Sequence, residues 1–201
     1  MPLQRNDNPP FPPYPAYKDS GMEWIGEIPE HWRLITLKFI ADLKSGDSID
    51  ASNIKSNGNY PVYGGNGLRG YTSTFTHEGF FVLIGRQGAL CGNINYAQGK
   101  FWASEHAVVC TLKGKDTPKW FGELLRTMNL NQYSISAAQP GLSVVRIKNL
   151  KIPVPSIPEQ TTIANFLDHK TVQIDAAIDK HRQLIELLRE HRAAIINEAV
   201  T

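Results

Sequence analysis

The sequence predicts an α+β fold: a mostly-β domain with short helices, followed by one long C-terminal α-helix that forms an antiparallel coiled coil with a partner helix. Three observations lead there. Most of the 16 glycines lie between residues 56 and 115, where they separate short runs of β-forming residues. Thr117-Pro118 then opens the run "KWFGELLRTMNL", a cap and first-turn signal for a helix. From Glu159 to Thr201 there is neither Gly nor Pro, and the apolar spacing becomes helical.

Taken in order, residues 1–16 are rich in proline and polar groups, carry no periodicity, and read as a flexible leader. From Trp32 to Leu43 the mixed apolar pattern predicts a strand followed by a helical turn that stops at Gly46. The runs "FFVLIG", "ALCGNINYA" and "FWASEHAVVCTL" predict a meander of strands, not a set of βαβ units. A helix over Thr117–Tyr133 and two short runs, "SVVRI" and "KIPVP", close a domain spanning 17–157.

Residues 158–201 are expected to form the long helix. One seam reads Leu167, Ile174, His181, Leu188, Ile195; a second reads Ala164, Thr171, Ile178, Ile185, Arg192, Ala199. Together they give the alternating three- and four-residue spacing of a coiled coil. About 40 residues at 1.5 Å each make a rod of about 60 Å, roughly twice the span of a small domain. Its far half therefore needs a partner, and Leu167, Ile174, Ile178, His181, Ile185, Leu188 and Ile195 are the candidate dimerisation residues. His181 and Arg192 interrupt the apolar seam and would help to fix register and partner. The alternative is an amphipathic helix folded in two and buried against its own domain.

Length and composition narrow the class. A chain of 201 residues with 41% apolar content can bury a core. No apolar run approaches the roughly 20 residues of a membrane span, and no export signal opens the chain. Two cysteines, Cys91 and Cys110, are no disulfide framework; both are expected in buried strands of a cytoplasmic protein.

The net charge of +2 is unevenly divided. Residues 51–157 carry 11 Lys+Arg against 4 Asp+Glu, whereas residues 158–201 carry 5 against 7. A block that basic, holding Tyr60, Tyr63, Tyr71, Trp102 and Tyr133, has the electrostatics to sit on a polyanion, although many soluble domains reach such a balance without doing so.

Catalytic motifs are scarce. Asn8–Phe11 spells Asn-Pro-Pro-Phe, the tetrapeptide with which amino-methylating enzymes clamp a flipped adenine. Here no apolar strand precedes it, and the glycines of "GGNG" at 64–67 lead into an extended segment instead of opening a helix, as a phosphate or cofactor cradle would. His77 with Glu78, and Glu105 with His106, are adjacent pairs whose members would face opposite ways along a strand. Cys91, Cys110, His77 and His106 lack zinc-site spacing. The carboxylates Glu78, Glu105, Asp116 and Glu123 are too dispersed for a nuclease metal centre, so no metal site is expected. The residues read as those of a binding protein.

"YKDSGMEWIGEIPEHW" at 17–32, "YPVYGGNGLRGY", "VLIGRQGALCGNINY" and the whole exit from "IPVPSIPEQTTIANFLDHK" to Thr201 resemble the specificity subunit of type I restriction-modification enzymes. Members of that family carry two target-recognition domains, each followed by a long helix. The resemblance here covers one of each, which implies a half-subunit, natural or truncated. It further implies a non-catalytic chain that reads one half of a bipartite DNA target in duplex DNA. Its helix would act as a ruler and dock methylation subunits. S-adenosylmethionine, ATP and Mg2+ would be bound by the methylation and restriction subunits and none of them by this chain.

The residues expected to lie near DNA are Asn66, Arg69 and Tyr71 in the glycine-rich segment, Arg86 and Gln87 in "GRQG", and Ser136 and Gln139 in "SISAAQPG". Arg69 and Arg86 lead, because a glycine-flanked loop brings backbone close and an Arg fork suits guanine. Each has a plainer alternative: Asn66 as a turn former, Tyr71 as core, Arg86 as the partner of a carboxylate. A half-subunit would pair through its helix into a homodimer facing an inverted repeat. Two other readings remain: a protein-interaction module whose basic face meets acidic proteins, and a small adenine methyltransferase using the leader motif.

Overall fold

The computed structural model describes residues 12–88, 90–134 and 141–201. It divides into two compact units, the chain up to Gln160 and residues 161–201. The Asn-Pro-Pro-Phe stretch, Ser136 and Gln139 lie outside the described residues.

The first unit opens with a hairpin of β1 (Tyr17–Asp19) and β2 (Glu27–Pro29), followed by β3 (Arg33–Thr36). A 3-10 turn at Leu37–Phe39 follows, as the Trp32–Leu43 pattern predicts, but it lasts three residues and a further strand, β4 (Ala41–Ser45), succeeds it. Ala41 and Leu43 alternate inward there, so the period of two prevails over the helical one. The remaining strands are β5 (Tyr60–Gly64), β6 (Gly67–Thr72), β7 (His77–Gly85), β8 (Ile94–Ala103), β9 (Ala107–Leu112) and β10 (Lys151–Val154).

Six of them form one sheet in the order β4-β9-β7-β8-β5-β6, and β10 pairs separately with β3. This departs from a simple meander: β5 runs parallel to β8, and β9 sits between β7 and β4. The sheet also curls. β8 ends opposite the start of β7, where Phe101 pairs His77, and β9 begins opposite its end, where Ala107 pairs Gly85, yet only residues 104–106 join the two strands. Within the sheet Gly79 (φ +137°) lies directly opposite Gly99 (φ +79°) on β8, dihedrals that only glycine adopts without strain. Curling brings the end of β8 back to β4, where the Asp47 amide donates to the Ala103 carbonyl at 2.9 Å. The enclosed core contains Leu83, Ala97, Phe101, Ala103 and Val109, with Tyr63 and Phe81 packed against it.

Helix α1 (Pro118–Thr127) begins at the Thr-Pro signal and buries Trp120, Phe121 and Leu125, packing against β7 and β8. The run "SVVRI" becomes a short helix, α2 (Val144–Lys148), because the Ser143 side chain caps it by accepting from the Arg146 amide. Cys110 is buried in β9 and Cys91 in the turn after β7, where burial pushes the Cys110 thiol well up. Among the described residues no helix is long and apolar enough to cross a membrane, and no group of three or more His, Cys, Asp or Glu side chains gathers as a metal site.

The C-terminal helix, α3 (Ile157–Val200), starts on a capping box. The Ser156 amide and hydroxyl donate to Glu159 Oε2 at 3.0 and 2.7 Å. Trp32 Nε1 donates to Glu159 Oε1 at 3.3 Å, and His31 Nε2 lies 2.7 Å from the same oxygen. The Tyr14 ring packs on both His31 and Trp32. Burial alone would raise the Glu159 carboxyl; the hydrogen bonds from Ser156, His31 and Trp32 outweigh it and bring the group from 4.5 down to about 2. A carboxyl depressed on folding contributes stability above its unfolded pKa and loses it as pH falls toward the folded one. Glu159→Gln should therefore cost about 1–2 kcal/mol at neutral pH. In urea titrations the gap between variant and parent should close as pH falls from 4.5 toward about 2; a gap that stayed constant would show that the charge is not what matters.

In the second unit the helix continues without interruption, and every residue from Asp168 to Thr201 is exposed. Ile174 (58%), Ile178 (42%), Ile185 (48%), Leu188 (57%) and Ile195 (52%) present the predicted seam to solvent.

Candidate nucleic-acid interface

Three connections meet at one place on the sheet: the β5–β6 turn, the β7–β8 loop and the β8–β9 turn. Gly65 and Asn66 form the two-residue β5–β6 turn, closed by the Gly64–Gly67 pair. A side chain at Gly65 would come within 3.1 Å of the Gln87 carbonyl and 3.3 Å of the His106 carbonyl, so a backbone without Cβ is what seats this turn against the other two. The Arg86 amide donates to the His106 carbonyl (2.8 Å), and the Leu142 amide to the Arg86 carbonyl (2.9 Å), tying the cluster together.

Between these connections lies a cleft of about 560 Å3 lined by Asn66, Leu68, Arg69, Gln87, Leu90 and His106, among others. Three of the expected contact residues, Asn66, Arg69 and Gln87, are thus brought together from two separate segments. The Arg69 stem crosses the space that a side chain at Gly64 would take, its Cγ 2.9 Å from that position. Lys100, Lys113 and Arg126 of the basic block are held by Glu78, Asp42 and Glu123. Arg69 is exposed and makes no ion pair among the described residues. Its guanidinium is available to a phosphate or a base edge.

The other expected residues are placed differently. Arg86 is half-buried and its Nη1 donates to Ser45 Oγ at 3.1 Å, a hydroxyl partner where a carboxylate was the plainer expectation. Tyr71 lies in β6, half-buried, its backbone bonded in both directions to Lys55 and its side chain outside the cleft lining.

Sequence reasoning overlooked Leu68, Leu90, Asn93 and His106. The sequence offers His106 only as the neighbour of Glu105 and as a metal ligand, yet it lines the cleft with its Nε2 3.0 Å from Glu105 Oε1. Asn93 Nδ2 donates to Asn66 Oδ1 at 2.9 Å, linking two exposed amides at the cleft. Beyond Leu90 is a more polar hollow of about 580 Å3 to which Asn93, Asn95, Asn129 and Asn131 contribute. The density of asparagines around "LCGNINY" and "MNLNQ" was the available signal for this polar surface.

Arrayed as they are, these groups offer an Arg fork, several amides and a histidine on one concave surface of a basic domain, with no cluster of carboxylates among the described residues. That is chemistry for recognition of a polyanion bearing hydrogen-bonding edges.

Comparison with known proteins agrees. The chain is 46% identical over 159 residues to the Escherichia coli type I restriction enzyme EcoprrI specificity subunit, a match covering 77% of this chain and 39% of that protein. It is 33% identical over 123 residues to a putative type I restriction enzyme specificity subunit of Haemophilus influenzae, covering 60% of this chain and 32% of the relative. The chain thus spans well under half the length of either. Among solved structures, the S subunit of the type I restriction-modification system of M. genitalium matches with a TM-score of 0.64 at 20% identity, over 72% of this chain and 40% of that one. The HsdS subunit of Thermoanaerobacter tengcongensis matches with a TM-score of 0.57 at 21% identity, over 80% and 41%. At such identities the two structures support the fold alone. The model of the type I restriction modification DNA specificity domain matches residues 29–189, most of the chain, and the chain belongs to that family.

Proposed function

We propose that this chain is a DNA-reading, non-catalytic subunit of a type I restriction-modification complex, with one recognition domain that reads one half of a bipartite target. The observation that carries this reading is the cleft in which Asn66, Arg69 and Gln87 converge, inside the most basic part of a chain that belongs to the specificity family. The exposed seam of α3 supports pairing with the same helix of a second copy, so that two recognition domains face an inverted repeat at a set spacing. The same helices would carry the docking sites of methylation subunits, and through them the restriction subunit would join. S-adenosylmethionine, ATP and Mg2+ belong to those partners in this scheme.

The test is selection from a randomised duplex pool, read together with methylation after a methylation subunit is added. An inverted repeat with a fixed spacer, methylated only when both proteins are present, is the expected result. Arg69→Ala should weaken binding to the selected duplex about 10- to 100-fold. Binding should also fall with log salt at a slope of several units. A pool that enriches nothing, or a flat salt response, would reject DNA reading by this chain.

A further inference from the structure

The polar cleft has an apolar rim. Leu68, on β6, is 54% exposed and Leu90, on the β7–β8 loop, is 49% exposed. Single exposed leucines are ordinary on protein surfaces. These two come from different segments and line the same cleft as Asn66.

Beside them is the amide pair. With Asn66 Oδ1 accepting from Asn93, the Asn66 Nδ2 protons and the Asn93 Oδ1 have no partner among the described residues. The linked side chains thus leave a donor on Asn66 and an acceptor on Asn93. In the major groove adenine shows the complement, the N7 acceptor next to the N6 amine, and only its partner thymine adds a methyl group at C5. A surface that sets a donor and an acceptor beside two exposed leucines matches both halves of that pair. A G·C pair also sets an acceptor, guanine O6, beside a donor, cytosine N4, so the amides alone do not decide between the pairs; the leucines do, because the G·C pair has no methyl to cover them.

We propose that this cleft reads an A·T base pair, the linked amides of Asn66 and Asn93 meeting the adenine edge and Leu68 and Leu90 closing over the thymine C5-methyl. The proposal rests on the DNA-reading function above and adds which residues set specificity and for which pair.

The experiment uses the full chain and the duplex recovered from the randomised pool. Each thymine is replaced in turn by deoxyuridine, which keeps the pairing and removes only the methyl. One position in each half-site should lose affinity about three- to tenfold. The double variant Leu68→Ala, Leu90→Ala should lose a similar factor on the native duplex and become indifferent to deoxyuridine at that position alone. Responses to other base changes should be retained, which also shows that the variant is folded. If every deoxyuridine duplex binds like the parent, or if the recovered half-site contains no A·T pair, the proposal falls while DNA reading stands. Uracil-insensitive binding with reduced DNA bending in the double variant would make the leucines wedges between base steps, which also overturns it. A pool that enriches no sequence removes the underlying function instead.

Discussion

Gly85→Ala is expected to lower the thermal midpoint by about 10 °C and to abolish binding to the selected duplex, although it adds a single methyl group. Gly85 ends β7 beneath the cleft. The added carbon would press on the Gly65 carbonyl oxygen, 3.0 Å from Gly65 C and 3.2 Å from the Leu90 carbonyl oxygen. All of these are backbone atoms, so no side chain can swing aside. Nor can Gly85 move: its amide donates to the Asn93 carbonyl and its carbonyl accepts from the Gly92 amide, both at 2.8 Å. Relief requires parting the β5–β6 turn from the β7–β8 loop, which opens the contact that assembles Asn66, Arg69 and Gln87. Overpacking of this kind costs about 3 kcal/mol or more, and for a domain of this size each kcal/mol moves the midpoint by about 3 °C. Gly88→Ala is the control. Gly88 has φ +91° but nothing within 4 Å of its Cβ position, so the substitution carries only backbone strain, about 1 kcal/mol. If the two variants melt together, the close approach of the two connections is not what holds the cleft.

The contrast between these glycines marks where the sequence was readable. Local signals sufficed for the long helix, since the absence of Gly and Pro after Glu159 left nothing to break it, and for the start of α1 at Thr117-Pro118. They sufficed for the glycine-rich segment that carries Asn66 and Arg69, because a close-approach loop advertises itself by composition. They failed wherever the outcome depends on non-local register. Nothing near Gly79 announces that it faces Gly99, and without that pairing the curl of the sheet and the parallel β5–β8 contact are invisible. Arg86 shows the same limit at a single side chain: its glycine-flanked context matches that of Arg69, yet the fold sets Ser45 within its reach and occupies its guanidinium. Leu68 and Leu90 read as ordinary strand residues until the cleft shows that they share a rim.

The second large effect concerns the helix. Ile185→Asp combined with Leu188→Asp is expected to turn a dimer into a monomer at 20 µM protein, a loss of about a thousandfold or more in self-association. The two seams support a specific antiparallel register. When Leu167 is placed opposite Ile195 of a second copy, Ile174 meets Leu188 and His181 meets its own counterpart, with Ile178 and Ile185 one residue out of exact register beside them. Asp175 and Arg189 then flank the same layer with opposite charge, as flanking positions of a coiled coil require. Each substitution acts twice, because the two-fold axis repeats it. Two side chains per copy, at about 1.5–3 kcal/mol each when buried, give about 6–12 kcal/mol before the cost of burying four carboxylates. Even with heavy discount for non-additivity this exceeds the roughly 4 kcal/mol of a thousandfold change. His181→Leu should act in the opposite direction, replacing the polar centre of the seam by an apolar one and tightening the dimer. Sedimentation equilibrium on parent, double variant and His181→Leu decides it. A parent that sediments as a monomer with its helix intact, or a double variant that remains dimeric, would remove the seam as the self-association surface and with it the two-fold presentation of recognition domains to DNA.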